Sequence, residues 1–268
     1  MTKAIATLIS DFGVGDNSVA IAKGILLSHE PEMCIIDISH AVTPHNLIQC
    51  SYLFNSAFRY FPIGSIHISL FDVMHQLPAK VLLAQVDHQF IITADNGFLN
   101  FTFPDENLSI WQYEQSESYT YLDWLNKVAE LVVKLNEMAF VPSKMGLSVF
   151  HSDIIVKPVK PIVSDQFIEC HILHIDRYGN VVLNLKKEQF EALRRERRFK
   201  VYIPSKDPIQ QITGDYANVR EGLYFCMFNS AGYLEIGIKN SSAAQLLGLK
   251  MYHRDQLIYS TVKIEFFD

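Results

Sequence analysis

Cysteine is scarce in this chain, with four residues in 268. The four stand singly and far apart among apolar residues, which argues against both a disulfide framework and the paired spacing of a zinc site. The pattern instead predicts buried free thiols and a cytosolic environment. The cysteines are Cys34, Cys50, Cys170 and Cys226.

Long apolar runs and dense charge of one sign are also lacking. No uninterrupted apolar stretch could span a bilayer, and the opening residues, MTKAIATLIS, have neither the apolar core nor the cleavage site of a leader. We therefore expect a soluble, unprocessed protein with no membrane partner. The net charge is -6, and the one basic block, RRERR at 194–198, is typical of a solvated helix face, so nucleic acid is not an expected partner.

The apolar content of 49% is enough for a large core, and its pattern changes along the chain. Before residue 158, apolar strand-like runs at 4–9, 34–38 and 65–71 and a hairpin at 81–93 alternate with helical spacing at 18–27, 46–60 and 123–138. Beyond the proline-containing stretch 158–166, strand-like runs follow at 167–175, 181–185, 200–203, 223–229, 234–238 and 257–267. This order predicts an α/β N-terminal domain with a mixed central sheet at 1–160. A small all-β barrel, or alternatively a sandwich, should follow at 165–268.

Carboxylates follow or end several of the predicted strands, namely Asp11, Asp37, Asp72 and Asp95. Ligand-facing side chains of open α/β sheets stand at the carboxyl ends of strands, so we expect some of these acids to gather along one sheet edge. A carboxylate pair there can hold the two hydroxyls of a ribose. A divalent metal is the weaker alternative, because none of the acids belongs to a compact ligand motif, and each acid by itself also suits an ordinary turn.

Two loops in the second half combine residues suited to a nucleobase. In IDRYGN (175–180), Asn180 can read the donor and acceptor edge of a base while Tyr178 stacks on its face. The loop FNSAGY (228–233) is of the same kind. Ordinary β-turns, which use asparagine and glycine for backbone freedom, are the alternative for both loops.

The order of motifs along the chain is recognisable: SDFG, IIDISH, TP, FP-G, a strand ending in Asp, DNG, IDRYGN, and NSAGYLEI with SSAAQLLGL. The sequence resembles the family of S-adenosylmethionine (SAM) hydroxide adenosyltransferases, which are SAM hydrolases related to bacterial fluorinating and chlorinating enzymes. The resemblance implies a homotrimer in which SAM lies between the first domain of one subunit and the second domain of a neighbour. It implies no metal and no cofactor beyond the substrate.

Several binding residues follow from the resemblance. In the first domain, Asp11 corresponds to the ribose-binding aspartate and Ser18 to a contact with the methionine part or a halide, while His45 replaces an aromatic residue of the family. In the second domain, the residues implied to hold the methionine amino group and the adenine region are Asp176, Tyr178 and Asn180. Ser230 corresponds to a contact in the family's NS-GYL loop, and Tyr216 to an aromatic residue that flanks the adenine.

The implied reaction is attack of water on the ribose C5′, with adenosine and methionine as products. The family's hydrolases position that water with an aspartate, an arginine and a histidine. Asp72 corresponds to the aspartate, but Ala79 occupies the arginine position with Lys80 next to it. His75, three residues after Asp72, is a candidate substitute, as are His40 and His45.

The family histidine has two possible counterparts. Aligning the helix at 123–138 places Thr120 at that position and explains Asp123 as a helix cap, whereas His151 follows Phe150 as in the family motif but lies after the helix. We prefer the first alignment. We thus expect a SAM hydrolase using Asp72, His75 and Lys80, and the alternative is a SAM or adenosine binding protein that acts as a sensor or sink.

Overall fold

The structure is a computed structural model that describes residues 4–104, 106, 108–113, 117–137, 140–203, 206–253, 256–257 and 260–268. The chain divides into two compact units, Met1–Pro158 and Val159–Asp268. We call them the N-terminal unit and the C-terminal unit. None of the helices in the described ranges combines the length and the apolar character needed to cross a membrane.

The N-terminal unit is an α/β structure around a seven-stranded sheet in the order β2-β1-β3-β5-β4-β6-β7. Strand β1 pairs in parallel with β2 and β3, and β3 in parallel with β5, while the remaining pairs are antiparallel. The sheet is therefore mixed, as predicted. Its elements are β1 (Ile5–Ile9), α1 (Ser18–His29), β2 (Cys34–Ser39), α2 (Leu47–Asn55), β3 (Ile66–Ser69), β4 (Leu82–Val86), β5 (Gln89–Thr93), α3 (Phe98–Thr102), β6 (Ile110–Tyr113), α4 (Tyr121–Glu137) and β7 (Leu147–Val149).

Two apolar clusters hold this sheet between helices. One contains Leu26 of α1 and the fully buried Trp124 of α4, and the other contains Phe54 of α2 and Phe98 of α3. The predicted apolar stripe of α4 is confirmed up to Glu137, and residue 138 lies outside the described residues. Burial of these large side chains removes apolar surface from water and supplies most of the favourable free energy of the unit.

The apolar run at 34–38 suggests a strand buried in the sheet, and that burial is not observed. These residues do form β2, but β2 is an edge strand of the sheet and much of it is exposed. Consequently Cys34 is exposed, against the prediction of a buried thiol, whereas the other three cysteines are buried and all four are free. An edge position depends on the order of strands, which local apolar character does not encode.

The C-terminal unit is built on an antiparallel sheet in the order β11-β16-β9-β10-β13-β12, with β8 added to β9. The segment 209–212 forms an isolated bridge to each of the two end strands of this order, β11 and β12. Ile209 pairs with Val201, and Ile212 pairs with Cys226. The predicted strand at 257–267 is β16 from Thr261 onward, and residues 258–259 lie outside the described residues. The elements are β8 (Ile162–Val163), β9 (Phe167–Ile175), β10 (Val181–Lys186), α5 (Lys187–Arg194), β11 (Arg198–Tyr202), β12 (Tyr224–Phe228), β13 (Tyr233–Ile238), α6 (Ala243–Leu246), β14 (Tyr252–His253), β15 (Gln256–Leu257) and β16 (Thr261–Phe267).

Candidate functional site

Asp11 and Asp72 come together at the carboxyl ends of β1 and β3. These strands are parallel neighbours, so the residues that follow them emerge at the same edge of the sheet. The Asp72 main-chain N–H donates to Asp11 Oδ1 over 3.3 Å, and the His45 main-chain N–H donates to Asp11 Oδ2 over 3.1 Å. The Asp11 carboxylate therefore ties two loops to the end of β1.

The Asp72 carboxylate lies between two imidazoles. His75 Nδ1 is 2.8 Å from Asp72 Oδ2, and His45 Nδ1 is 3.2 Å from Asp72 Oδ1. The Asp72 side chain is only 16% exposed, against 76% for His45 and 45% for His75. Behind it, the Asn96 side-chain amide donates to the Phe71 carbonyl over 2.6 Å and fixes the strand end. The result is a shielded carboxylate with two exposed titratable partners.

The other two strand-end carboxylates have different partners. Asp95 is buried and accepts a 2.5 Å hydrogen bond from the Ser152 hydroxyl. Asp37 lies 2.6 Å from the Lys23 ammonium and 3.1 Å from His40 Nε2. Burial opposes ionisation of Asp37, but hydrogen bonding by Lys23 and His40 outweighs it and lowers the pKa of this carboxyl. Of the four acids, only Asp11 and Asp72 form the joint cluster described above.

Three further predicted residues of the N-terminal unit have well-defined surroundings. The Lys80 ammonium lies 4.6 Å from the centroid of the Phe150 ring. Ser18 begins α1, and its N–H donates to Asp16 Oδ1 over 2.6 Å. The Thr120 hydroxyl accepts from the Asp123 N–H over 3.2 Å and donates to the Asp123 carboxylate over 2.7 Å. Thr120, rather than Asp123, is thus the cap of α4.

In the C-terminal unit the IDRYGN segment forms a tight turn between β9 and β10. Asp176 Oδ1 accepts the Asn180 N–H over 2.8 Å, and Asp176 Oδ2 accepts the Asn180 side-chain amide over 3.1 Å. Gly179 has φ +82°, and a Cβ there would overlap the Ser242 hydroxyl oxygen. The glycine is therefore required both for the left-handed backbone and for the close approach of the next segment.

A cavity of about 690 Å³ opens beside this turn. It is lined by four of the predicted residues, Asp176, Tyr178, Asn180 and Tyr216, together with Ile238, Asn240, Ser241 and Ser242. Tyr178 is 80% exposed as a residue, so its ring is accessible to a planar ligand.

Tyr216 is held at the cavity by its contacts with Lys239 and Asn240. Its hydroxyl accepts the Asn240 N–H over 3.1 Å and donates to Asn240 Oδ1 over 3.3 Å, and the Lys239 ammonium lies 4.1 Å from the ring centroid. Sequence reasoning assigned no contact to the 240–242 segment, although its motif SSAAQLLGL was among those that carried the resemblance.

Ser230 lies away from this cavity, in the turn between β12 and β13 at the opposite end of β13 from Ile238. The turn is organised by Asn229, whose side-chain oxygen accepts the Ala231 and Tyr233 N–H groups over 3.1 Å each. A ligand contact by Ser230 stays a prediction. Among the residues that the structure describes, no group of three or more histidine, cysteine, aspartate or glutamate side chains is arranged to hold a metal ion.

Fold and site together define a class of two-domain proteins, α/β followed by antiparallel β, with paired carboxylates at a sheet edge and a tyrosine-lined cavity in the second domain. The chain belongs to the SAM hydroxide adenosyltransferase family. The family's N-terminal domain matches residues 6–141, and its C-terminal domain matches residues 170–254.

Relatives match over nearly the whole chain. An (R)-S-adenosyl-L-methionine hydrolase of Methanocaldococcus jannaschii is 25% identical, covering 95% of this chain and 96% of the relative. A fluorinase of Nocardia brasiliensis is 23% identical, covering 92% and 94%. An uncharacterized conserved protein from Thermotoga maritima has a similar fold, with a TM-score of 0.79, 23% identity and coverage of 97% and 99%.

Proposed function

We propose that this protein binds SAM and hydrolyses it to adenosine and methionine. The observation that carries the proposal is the shielded Asp72 carboxylate, held beside Asp11 at the edge of the sheet and flanked by His45 and His75. Support comes from the family membership and from four relatives named (R)-S-adenosyl-L-methionine hydrolase, at 22% to 25% identity.

The ligand contacts follow from the chemistry of the two half-sites. A carboxylate oxygen has two lone pairs, so Asp11 can accept from the ribose hydroxyls while it still holds two main-chain N–H groups. Ser18 would contact the methionine part. In the second domain, Tyr178 and Tyr216 would flank the adenine and Asn180 would read its edge. Asp176 supplies a negative charge for the methionine ammonium, and Ser230 would be a further ligand contact.

The reaction depends more on positioning the water than on activating the leaving group, because a sulfonium is already a good leaving group. A water held in line with the C5′–S bond gains most from orientation and from exclusion of other water. We assign that role to Asp72, with His75 and Lys80 as its predicted helpers. No cofactor or metal enters the proposed reaction, because the leaving group is neutral methionine sulfur.

The assembly is part of the same proposal. Family resemblance supports a homotrimer in which each SAM is held by Asp11 of one subunit and the 176–180 turn of another. The bridges from Ile209 and Ile212 to the two terminal strands support a closed barrel for the second domain. The four free cysteines support a cytosolic location.

The test is incubation of the purified protein with SAM and chromatography of the products. Wild type should release adenosine and methionine in equal amounts, and Asp72→Asn should lower the rate roughly 100-fold or more while it still binds SAM. Asp87→Asn is the matched control, because Asp87 is exposed and has φ 49°, close to the 41° of Asp72. Binding of SAM without products, seen as a raised melting temperature, would refute hydrolysis and favour the sensor or sink.

A further inference from the structure

The two imidazoles beside Asp72 are bound differently, and the difference assigns them different roles in the proposed hydrolysis, on which this inference rests. His75 Nδ1 makes a 2.8 Å hydrogen bond with Asp72 Oδ2. The main-chain N–H of His75 also donates to the main-chain carbonyl of Asp72 over 3.2 Å. Carboxylate and imidazole are therefore held together within one turn of chain, three residues apart.

The orientation of the His75 ring determines where its basic nitrogen lies. An ionised carboxylate only accepts hydrogen bonds, so a neutral His75 must carry its proton on Nδ1, the nitrogen that faces Asp72. The lone pair then resides on Nε2, on the other side of the ring. Because the His75 side chain is 45% exposed, Nε2 can receive a proton from a water molecule beside it.

His45 is instead joined to both acids of the cluster. The main-chain N–H of His45 donates to Asp11 Oδ2 over 3.1 Å, and its ring Nδ1 lies 3.2 Å from Asp72 Oδ1. The backbone of His45 is left-handed, with a φ of 59°. The longer approach and the greater exposure make it the weaker partner of Asp72. Its contacts suit a residue that fixes the carboxylate relative to the ribose-binding aspartate.

We infer that the Asp72–His75 pair is the general base of the hydrolysis and that His45 is a positioning residue, so that two imidazoles compensate for the cation and the histidine absent at Ala79 and Thr120. As water attacks C5′, the new C–O bond forms and the C5′–S bond breaks, with its electron pair going to the methionine sulfur. The water proton passes to His75 Nε2, the Asp72 carboxylate stabilises the imidazolium, and the proton then leaves to solvent.

This assignment makes the rate depend on pH. The ionisable groups that the described contacts place around His75 are Asp72 directly, and His45 and Asp11 through Asp72. A His75 that carries a proton on both ring nitrogens has no free lone pair, so it cannot accept the water proton. The rate should therefore fall as the pH is lowered. This acid limb of the pH–rate profile should depend on His75.

The experiment measures kcat and KM for SAM from pH 5 to 9 in wild type, His75→Gln, His45→Gln and the control His151→Gln. His151 is exposed, and it is the histidine that follows Phe150 as in the family motif but lies after the helix at 123–138. We expect His75→Gln to lower kcat roughly 100-fold, with little change in KM, and to lose the acid limb. His45→Gln should lower kcat less and keep the limb, and His151→Gln should match wild type.

Chemical rescue gives an independent readout. Imidazole added to His75→Ala should restore part of the rate. The space left by the ring is exposed, and the substitution removes the proton acceptor while Asp72 stays in place. A wild type that makes no adenosine overturns both the proposed function and this inference. A wild type that turns over, with His75→Gln keeping its kcat and acid limb or with no rescue of folded His75→Ala, overturns this inference alone.

Discussion

Replacing Gly179 by alanine tests whether the turn beside the cavity depends on the close approach of the 240–242 segment. At φ +82° an added Cβ would overlap Ser242 Oγ and lie 2.6 Å from the Ser242 Cβ and 2.9 Å from its Cα. The left-handed backbone costs an alanine about 1–2 kcal/mol, and forcing the neighbouring segment to move costs about 1–3 kcal/mol more. We expect the C-terminal unit to lose roughly 2–5 kcal/mol of unfolding free energy and the protein to bind SAM more weakly.

Hydrogen exchange of peptides from β9 and β10 in increasing urea would measure this loss. Both tryptophans, Trp111 and Trp124, lie in the N-terminal unit, so their fluorescence reports the other unit in the same titration. Gly222→Ala is the matched control, because Gly222 has φ +75° and the described atoms leave the space around its added Cβ open to 4 Å. If Gly179→Ala costs no more than Gly222→Ala, the close approach does not hold the turn. Adding Ser242→Gly should recover part of the loss, since only the approach to the main chain of residue 242 would remain.

Two further predictions concern ionisable groups outside the site. A thiol reagent should modify one cysteine, Cys34, rapidly in the native protein, because burial raises the pKa of Cys170 and of Cys226 to about 12 and raises that of Cys50 as well; rapid modification of two or more would contradict the described burial. Burial also raises the pKa of Glu235 above 4.5, so the folded state holds its proton more tightly and the charged form lowers stability at higher pH. Glu235→Gln should therefore raise the melting temperature at pH 7, with a gain that shrinks as the pH falls toward 4.5, and a gain independent of pH would refute this explanation.

Local patterns in the sequence predict much of the fold. Short apolar runs bounded by turn residues locate most strands within a few residues, since burial and chain reversal are both encoded in neighbouring residues. The exposure of β2 is not encoded in this way, because it follows from the order of strands in the sheet. His45 is among the candidates that the sequence offers, but its contact with Asp72 is not encoded locally. That contact forms because β2 and β3 both lie parallel to β1.

Two residues of the site have strained backbone conformations, and Asp11 stabilises both of them. His45 and Asp72 adopt φ values of 59° and 41°, left-handed conformations that cost a non-glycine residue of order 1–3 kcal/mol. At the Asp87–His88 hairpin the same conformation produces a two-residue chain reversal, but at the site the compensation comes from hydrogen bonds. Asp11 accepts the main-chain N–H of both strained residues. The carboxylate proposed to bind the ribose therefore also holds the backbone that aims Asp72, so substrate binding and water activation depend on one side chain.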